Sequence, residues 1–276
     1  MSNESGASNK SNDPFYQTIR VDVRDKGITW ITIDNPPANA IGDALMDDLD
    51  RAASALAADK SVRVIVITSA HPKNFLAGAD LKAMISNAGS YAGSNNGIAE
   101  ASARMQSLFD KFAKLPKPVI AAINGHALGG GCELAMACDF RIMSAGRIGL
   151  TEVSLGLIPG AGGTQRMTRL LGRAKATELI FTAKQLTPDE ALAIGLVNRV
   201  TAPDQLEAET TAFAEQLAEG AIHAMGLAKL AIDAAEGPIE HGLQVEAQAF
   251  ARTFTTGEPG EGLMAFFQKR KPQFLR

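Results

Sequence analysis

Two glutamates, one of them in a segment that gives a carboxylate little reason to be there, could do acid–base chemistry. Glu133 lies in the apolar run Cys132-Glu133-Leu134-Ala135-Met136-Ala137, directly after Gly129-Gly130-Gly131, and Glu152 follows Thr151 further on. An ionised carboxylate taken out of water is costly unless it is paired or hydrogen-bonded. Two carboxylates whose surroundings push their pKa values apart can supply an acid and a base together at neutral pH. Each also has a plain structural explanation. An acid in the first turn of a helix gains about 0.3–1 kcal/mol from the helix dipole. For Glu133 that explanation is weakened, because Leu134 to Ala137 offers no polar face. For Glu152 taken alone, an acid at a helix start is sufficient.

Two glycine-bearing turns, Ala77-Gly78-Ala79 and Gly129-Gly130-Gly131, each read as following a strand and opening a helix. Glycine lets the backbone turn sharply and come close to another group. Brought together, two such turns can aim two N–H groups at one carbonyl oxygen, which is an oxyanion hole. Tight strand-to-helix packing uses glycine equally well, so on the residues alone both explanations stand.

Other reactive side chains carry less. Cys132 at a helix start could be a thiolate nucleophile, but no histidine is placed as its base, and a small buried hydrophobe is the commoner role. His126 reads as a packing residue. Pro159-Gly160-Ala161-Gly162-Gly163-Thr164, with Arg166 after it, could bind phosphate at a helix start. It matches neither the phosphate-loop pattern nor the dinucleotide Gly-x-Gly-x-x-Gly, which counts against a dinucleotide oxidoreductase. Lys269-Arg270-Lys271 reads as a solvated cationic end or a phosphate contact.

The elements that must position these residues follow a regular order. Ile19 to Val23 and Ile28 to Ile33 alternate in polarity around Asp25-Lys26-Gly27, a β-hairpin signature. Leu45, Leu49, Ala52 and Leu56 recur at helical spacing, and Val62 to Thr68 is a β-branched run suited to a strand covered on both faces. The turn at Ala77 is expected to open a helix with Asp80 as N-cap. Ser86 to Gly97 is expected to be a loop bordering a site, followed by a helix to Leu115. Strands follow at Pro118 to Ile123, Phe140 to Ser144 and Arg147 to Leu150, and from Ala174 the pattern is helical except at Gly195 to Val200. This predicts a layered α/β core with a C-terminal helical region.

The chain has 276 residues, 46% hydrophobic and 21% charged, ordinary values for a globular protein with a substantial core. A net charge of −3 provides no basic field for nucleic acid. The two cysteines, Cys132 and Cys138, form neither a disulfide framework nor a metal-ligand pattern and fit a reducing compartment. Residues 1–14 are polar and read as a disordered tail rather than a targeting signal, and no apolar run is long enough to span a bilayer. A cytoplasmic protein is expected.

Three segments together resemble the signatures of the enoyl-CoA hydratase/isomerase (crotonase) superfamily. They are Phe75-Leu76-Ala77-Gly78-Ala79-Asp80-Leu81-Lys82, Asn124-Gly125-His126-Ala127-Leu128-Gly129-Gly130-Gly131-Cys132-Glu133, and Leu157-Ile158-Pro159-Gly160-Ala161-Gly162-Gly163-Thr164-Gln165-Arg166. The resemblance covers everything but the polar tail. It implies a core over 15–200 built as a spiral of ββα units and a C-terminal helical trimerisation region over 201–276, assembled as a trimer or a dimer of trimers. It implies an acyl-CoA thioester substrate, with no metal and no cofactor beyond the CoA carried by that substrate.

By position, the resemblance puts the backbone N–H groups of Ala79 and Gly130 in the oxyanion hole. Glu133 takes the place of the water-activating carboxylate, and Glu152 that of the proton donor to the α-carbon. Ala77, Asp80, Leu81 and Lys82 border the substrate, and Phe266 and Lys269 meet the CoA nucleotide of a neighbouring subunit. Hydratases of the family carry two such glutamates where one suffices for an isomerase, so enoyl-CoA hydration is expected. An isomerase, a hydratase of a branched or aromatic acyl-CoA, and a non-catalytic acyl-CoA or RNA binder are the alternatives. Leu150-Thr151 departs from the Gln-Pro that often precedes the second glutamate in the family, which bears on the acyl chain accepted.

Overall fold

The computed structural model describes residues 15–80 and 95–275. The expected hairpin is present: β1 (Ile19–Val23) and β2 (Ile28–Ile33) pair antiparallel, Ile19 opposite Ile33. From there the chain repeats one unit, a long strand followed by a short strand and then a helix or a turn of helix. The first unit is completed by β3 (Ala40–Ile41) and α1 (Asp43–Ala58). The second has β4 (Val64–Ser69), β5 (Asn74–Leu76) and β6 (Gly78–Ala79), and α2 (Asn95–Ala113) comes after it. The third is β7 (Val119–Ile123), β8 (His126–Leu128) and α3 (Gly130–Ala137). The fourth is β9 (Phe140–Met143), β10 (Ile148–Gly149) and a 3₁₀ turn at Glu152–Leu155.

The long strands stack in chain order as β1-β2-β4-β7-β9, with the two-residue β11 (Arg199–Val200) beside β9, and every pair after the hairpin is parallel. The short strands form separate parallel layers, β10-β8-β5 and β3-β6. Each unit thus advances both layers by one strand, which is the spiral of ββα units.

The long strands read as continuous apolar runs because both faces are covered. Ile31, Ile33, Ile65, Ile67, Ala121 and Ile123 face the main core with α1, α2 and α3. Ile28, Trp30, Val64, Val66, Ile120 and Ile142 face a second core with Leu206, Ala214 and Ala218. The rest of the chain is helical apart from β11 (Arg199–Val200): α4 (Gly163–Leu171), α5 (Arg173–Phe181), α6 (Pro188–Ala193), α7 (Leu206–Ala218), α8 (Ile222–Ala234), α9 (Ile239–Thr253) and α10 (Glu258–Phe267).

Two local expectations change. Gly78–Ala79, read as a turn, forms a short strand beside β3, with Ala40 opposite Gly78 and Ile41 opposite Ala79, and the helix expected after Asp80 lies outside the described residues. Asn95 to Gly97, placed in the Ser86 to Gly97 loop, already belong to α2, while 81–94 lie outside the described residues. A run of Ser, Asn and Gly lowers helix propensity, but α2 is held at its sides: Arg104 bonds Asp43 and Asp47, and Lys111 bonds Asp50, all on α1.

Candidate active site

All eight residues of α3 are buried, as the lack of a polar face required. The helix can start so close to its neighbours because of its glycines. Gly129 precedes it with φ 53° and ψ −120°, a conformation L-residues rarely adopt. A side chain on Gly131 would strike the Leu76 carbonyl. Glu133, in the first turn and 2% exposed, therefore points into the interior rather than to solvent.

Its partners come from the turn before α4. Glu133 Oε1 accepts hydrogen bonds from the backbone N–H groups of Ala161 at 2.8 Å and Gly163 at 2.7 Å. The Glu133 carboxyl is raised to about 7, chiefly by burial and further by Glu152, against the opposing pull of the two N–H donors and Arg166. Gly163 must be glycine: a β-carbon there would lie 2.8 Å from Glu133 Oε1 and 2.9 Å from Leu150 Cδ2.

Glu152 opens the 3₁₀ turn, as an acid at a helix start, but its carboxyl is turned inward over the beginning of α3. Its Oε1 would meet a β-carbon on Gly129 at 2.9 Å. Its Oε2 is buried and accepts no hydrogen bond from the described residues. Burial raises its pKa as well. The surroundings of the two carboxyls are thus unlike. Glu133 has donors that stabilise charge, whereas Glu152 Oε2 has none among the described residues; burial favours the protonated form of Glu152, against the weaker pull of the Glu152 and Thr151 N–H groups.

The two glycine turns do meet. A β-carbon on Gly78 would lie 3.6 Å from Gly130 N, and one on Gly130 would lie 3.9 Å from Ala79 N. Gly130 is the first residue of α3, so its N–H has no acceptor within the helix. Gly78, at φ 93°, lets β6 turn beside Leu128 and Gly129. Two donor-bearing backbone segments and two carboxyls therefore converge on the N-terminal end of α3. Such a group can bind a carbonyl oxygen, take a proton from water and return one to carbon.

The remaining expected residues are distributed unevenly. Ala77 is exposed and donates its N–H to Asn39 O, and Asp80 is half-buried with its N–H on Ile41 O, so both flank Ala79. Leu81 and Lys82 lie outside the described residues. Phe266 and Lys269 are exposed at the end of α10 and beyond it, in a different part of the chain from the carboxyls. Cys132 is fully buried and its thiol is pushed strongly up, chiefly by burial, which removes it as a nucleophile.

The turn at Gly160 to Gly163, considered for phosphate, has two of its N–H groups committed to Glu133 instead. The anion it serves is the protein's own, and the visible signal was a glycine turn at a helix start together with a carboxylate lacking a partner. A cavity of about 770 Å³ lies elsewhere, lined by Arg63, Lys117, Lys229 and the helices after Ile222. These three cations are engaged: Arg63 on the carbonyls of Ala218 and Gly220, Lys117 on that of Leu56, and Lys229 on Asp139.

Comparison with known proteins agrees with this geometry. The family described as enoyl-CoA hydratase/isomerase matches residues 23–276. The chain is 40% identical to a short-chain-enoyl-CoA hydratase of Clostridium acetobutylicum over 88% of this chain and 92% of that one. It is 38% identical to a crotonyl-CoA hydratase of Syntrophomonas wolfei, covering 94% of this chain and 98% of the other. Among solved structures, an enoyl-CoA hydratase from Bacillus anthracis superposes with a TM-score of 0.85 at 39% identity, over 94% of this chain and 99% of that one. With a matching fold, matching length and the converging glycine turns and glutamates, this chain belongs to the enoyl-CoA hydratase/isomerase family.

Proposed function

We propose that the protein is an enoyl-CoA hydratase that adds water reversibly, by syn addition, to a trans-2-enoyl-CoA, giving a 3-hydroxyacyl-CoA. The observation that carries this is the pair of carboxyls in unlike surroundings, Glu133 buried and held by two N–H donors and Glu152 half-buried, with an inward oxygen that has no donor among the described residues.

In this mechanism the thioester oxygen accepts from the N–H groups of Ala79 and Gly130. Glu133 takes a proton from water as the water oxygen bonds to C3. The C2–C3 π electrons move toward the thioester, and the enolate charge collects on the oxygen between the two donors. Glu152 then delivers its proton to C2. Glu133 is left protonated and Glu152 ionised, and proton exchange between them or with solvent restores the start. Removing one fixed donor from such a hole typically costs about 2.7–4 kcal/mol of barrier. The substrate brings the CoA, and the steps ask for no other cofactor. The homologues from Clostridium acetobutylicum and Syntrophomonas wolfei, named for short-chain and crotonyl substrates, make crotonyl-CoA the first substrate to test.

Mixed with crotonyl-CoA, the purified protein is expected to bleach the conjugated enoyl-thioester absorbance, and Glu152→Gln is expected to lower kcat by about 10²–10⁴-fold, the range of a lost general acid. Absence of bleaching with short, medium and long enoyl chains would overturn the proposal. Turnover of a 3-enoyl-CoA alone would assign the isomerase reaction instead, in which one carboxylate moves a proton between two carbons.

A further inference from the structure

The cradle that holds Glu133 is itself held, and by groups outside the carboxyls and glycine turns described above. Arg166, on α4 and largely buried, donates through Nη1 to the Ala161 carbonyl at 3.0 Å and through Nη2 to the Asp110 carboxylate on α2. Gly162, between the two donors of the cradle, has φ 104°, and a β-carbon on it would collide with the Arg166 guanidinium. The guanidinium thus lies against the inside of the turn. On the same face of α2, Ser102 Oγ donates to the Gly160 carbonyl at 2.6 Å and Gln106 Nε2 donates to it at 2.8 Å. Ser102, Gln106 and Asp110 are spaced by one helical turn each, so a single stripe of α2 fastens the Gly160 carbonyl directly and the Ala161 carbonyl through Arg166.

We propose that Arg166, clamped by Asp110, is a positioning residue for the reaction: it fixes the turn so that the Ala161 and Gly163 N–H groups stay on Glu133 and keep it in the ionised form that accepts a proton from water. The proposal rests on the hydratase reading of the site. The polypeptide unit of Ala161 links the two halves of the device, because its carbonyl is gripped by Arg166 and its N–H grips Glu133. Arg166 also acts through its charge, which favours ionised Glu133.

The charged and titratable groups around Glu133 are Glu152 from the 3₁₀ turn, Arg166 from α4, Asp110 behind Arg166 on α2, Cys132 beside it on α3, and Arg141 on β9 nearer Cys132. Glu152 raises the Glu133 pKa and Arg166 lowers it. The Cys132 thiol stays neutral, and Asp110 has its charge engaged by Arg166. Losing Arg166 removes both its charge and the order of the cradle, so the Glu133 pKa must rise. A base with a raised pKa is ionised only at higher pH, and the acidic limb of kcat/KM follows it upward.

The test compares the full-length wild type with Arg166→Met, Arg166→Lys and Asp110→Asn. Two readouts are used: the pH profile of crotonyl-CoA hydration, and the titration of the Glu133 carboxyl by ¹³C NMR in glutamate-labelled protein, assigned with Glu133→Gln. In Arg166→Met both are expected to move up by about one pH unit, which for a carboxyl titrating at about 7 lowers kcat/KM at pH 7 by about 5-fold, with recovery as the pH is raised. Lysine at 166 keeps the charge but not the two-armed grip, and is expected to recover part of the shift. Asp110→Asn, which alters only the outer partner, is expected to shift less than Arg166→Met and serves alone if Arg166→Met does not fold. An unchanged Glu133 titration in the folded variants overturns the proposal. If the wild type turns over no enoyl-CoA, the hydratase reading fails by itself, and the carboxyl titration still decides whether Arg166 sets the charge on Glu133.

Discussion

At the scale of single residues, neighbouring glycines with the same sequence appearance do different jobs, and the structure separates them. Gly131 gives α3 room against β5: a β-carbon there would run into the Leu76 carbonyl, which is backbone and cannot yield. Gly130 faces the space where the two N–H groups converge, and the nearest obstacle to a β-carbon is the tip of a flexible side chain, Ile41 Cδ1, at 2.5 Å. Gly131→Ala is therefore expected to destabilise the fold by about 1–3 kcal/mol, the usual cost of overpacking, read as a lower denaturation midpoint. Gly130→Ala is expected to leave that midpoint within about 1 kcal/mol while cutting hydration of crotonyl-CoA by about 10²-fold or more, because the methyl group intrudes beside the oxyanion donors. Equal loss of stability in the two variants would show that Gly130 serves packing alone, the alternative that the sequence left open. That ambiguity was real: a triplet of glycines says that backbone approaches something, and only the fold says whether the neighbour is a carbonyl or a site.

At the scale of elements, the frame around the site depends on cations that close helix C-termini. Arg141, on β9 and 4% exposed, donates to the carbonyls of Ala135 and Cys138 at the end of α3, and to that of Leu196. Lys117, before β7, does the same at the end of α1 through the Leu56 carbonyl, and Arg63, before β4, does so at the end of α7 through those of Ala218 and Gly220. The last carbonyls of a helix have no intrahelical donor, and a cation answers both their hydrogen bonds and the helix dipole. Arg141→Met, similar in length but without donors, is expected to lower the free energy of unfolding by about 3 kcal/mol or more, measured by denaturant titration at fixed protein concentration. A loss below about 1 kcal/mol would show that the carbonyls find other partners.

None of these caps was legible in the sequence, where each cation merely adjoins an apolar strand; the partner carbonyls come from α1, α3 and α7, which only the spiral brings near. What was legible depended on local periodicity: the β1–β2 hairpin, α1, the long strands and the buried character of α3. The two-residue strands β3 and β6 are too short to have a period, so β6 was taken for a turn. The Glu133 cradle was missed because hydrogen bonds from Ala161 and Gly163 are made by backbone, which every residue carries alike.

At the scale of the whole molecule, the surface of the C-terminal helices is conspicuously apolar. Leu230, Ile232, Ile239, Leu243, Phe250, Phe254, Phe266 and Phe267 are all exposed, and clusters of this kind mark surfaces that bury themselves against a partner. The proposed occupant is a second copy of the chain, as a homo-oligomer in which Phe266 and Lys269 reach the CoA nucleotide in a neighbouring subunit. The charges near the C-terminus support this division of labour. Arg270 is paired with Glu261 and Lys271 with Glu219, whereas Lys269, exposed and with φ 53°, has no ion-pair partner among the described residues. A free cation held on a fixed backbone is suited to a phosphate.

Lys269→Ala is accordingly expected to raise KM for crotonyl-CoA by about 5–10-fold, the scale of one charge-assisted contact, with kcat unchanged. KM for crotonyl-pantetheine, which lacks the nucleotide, should be unaltered. Sedimentation of both proteins should report the same oligomer, since the change leaves the apolar surface intact. An equal rise in KM for the two thioesters would place Lys269 away from the nucleotide, and a monomeric wild type would remove the neighbour that the contact requires.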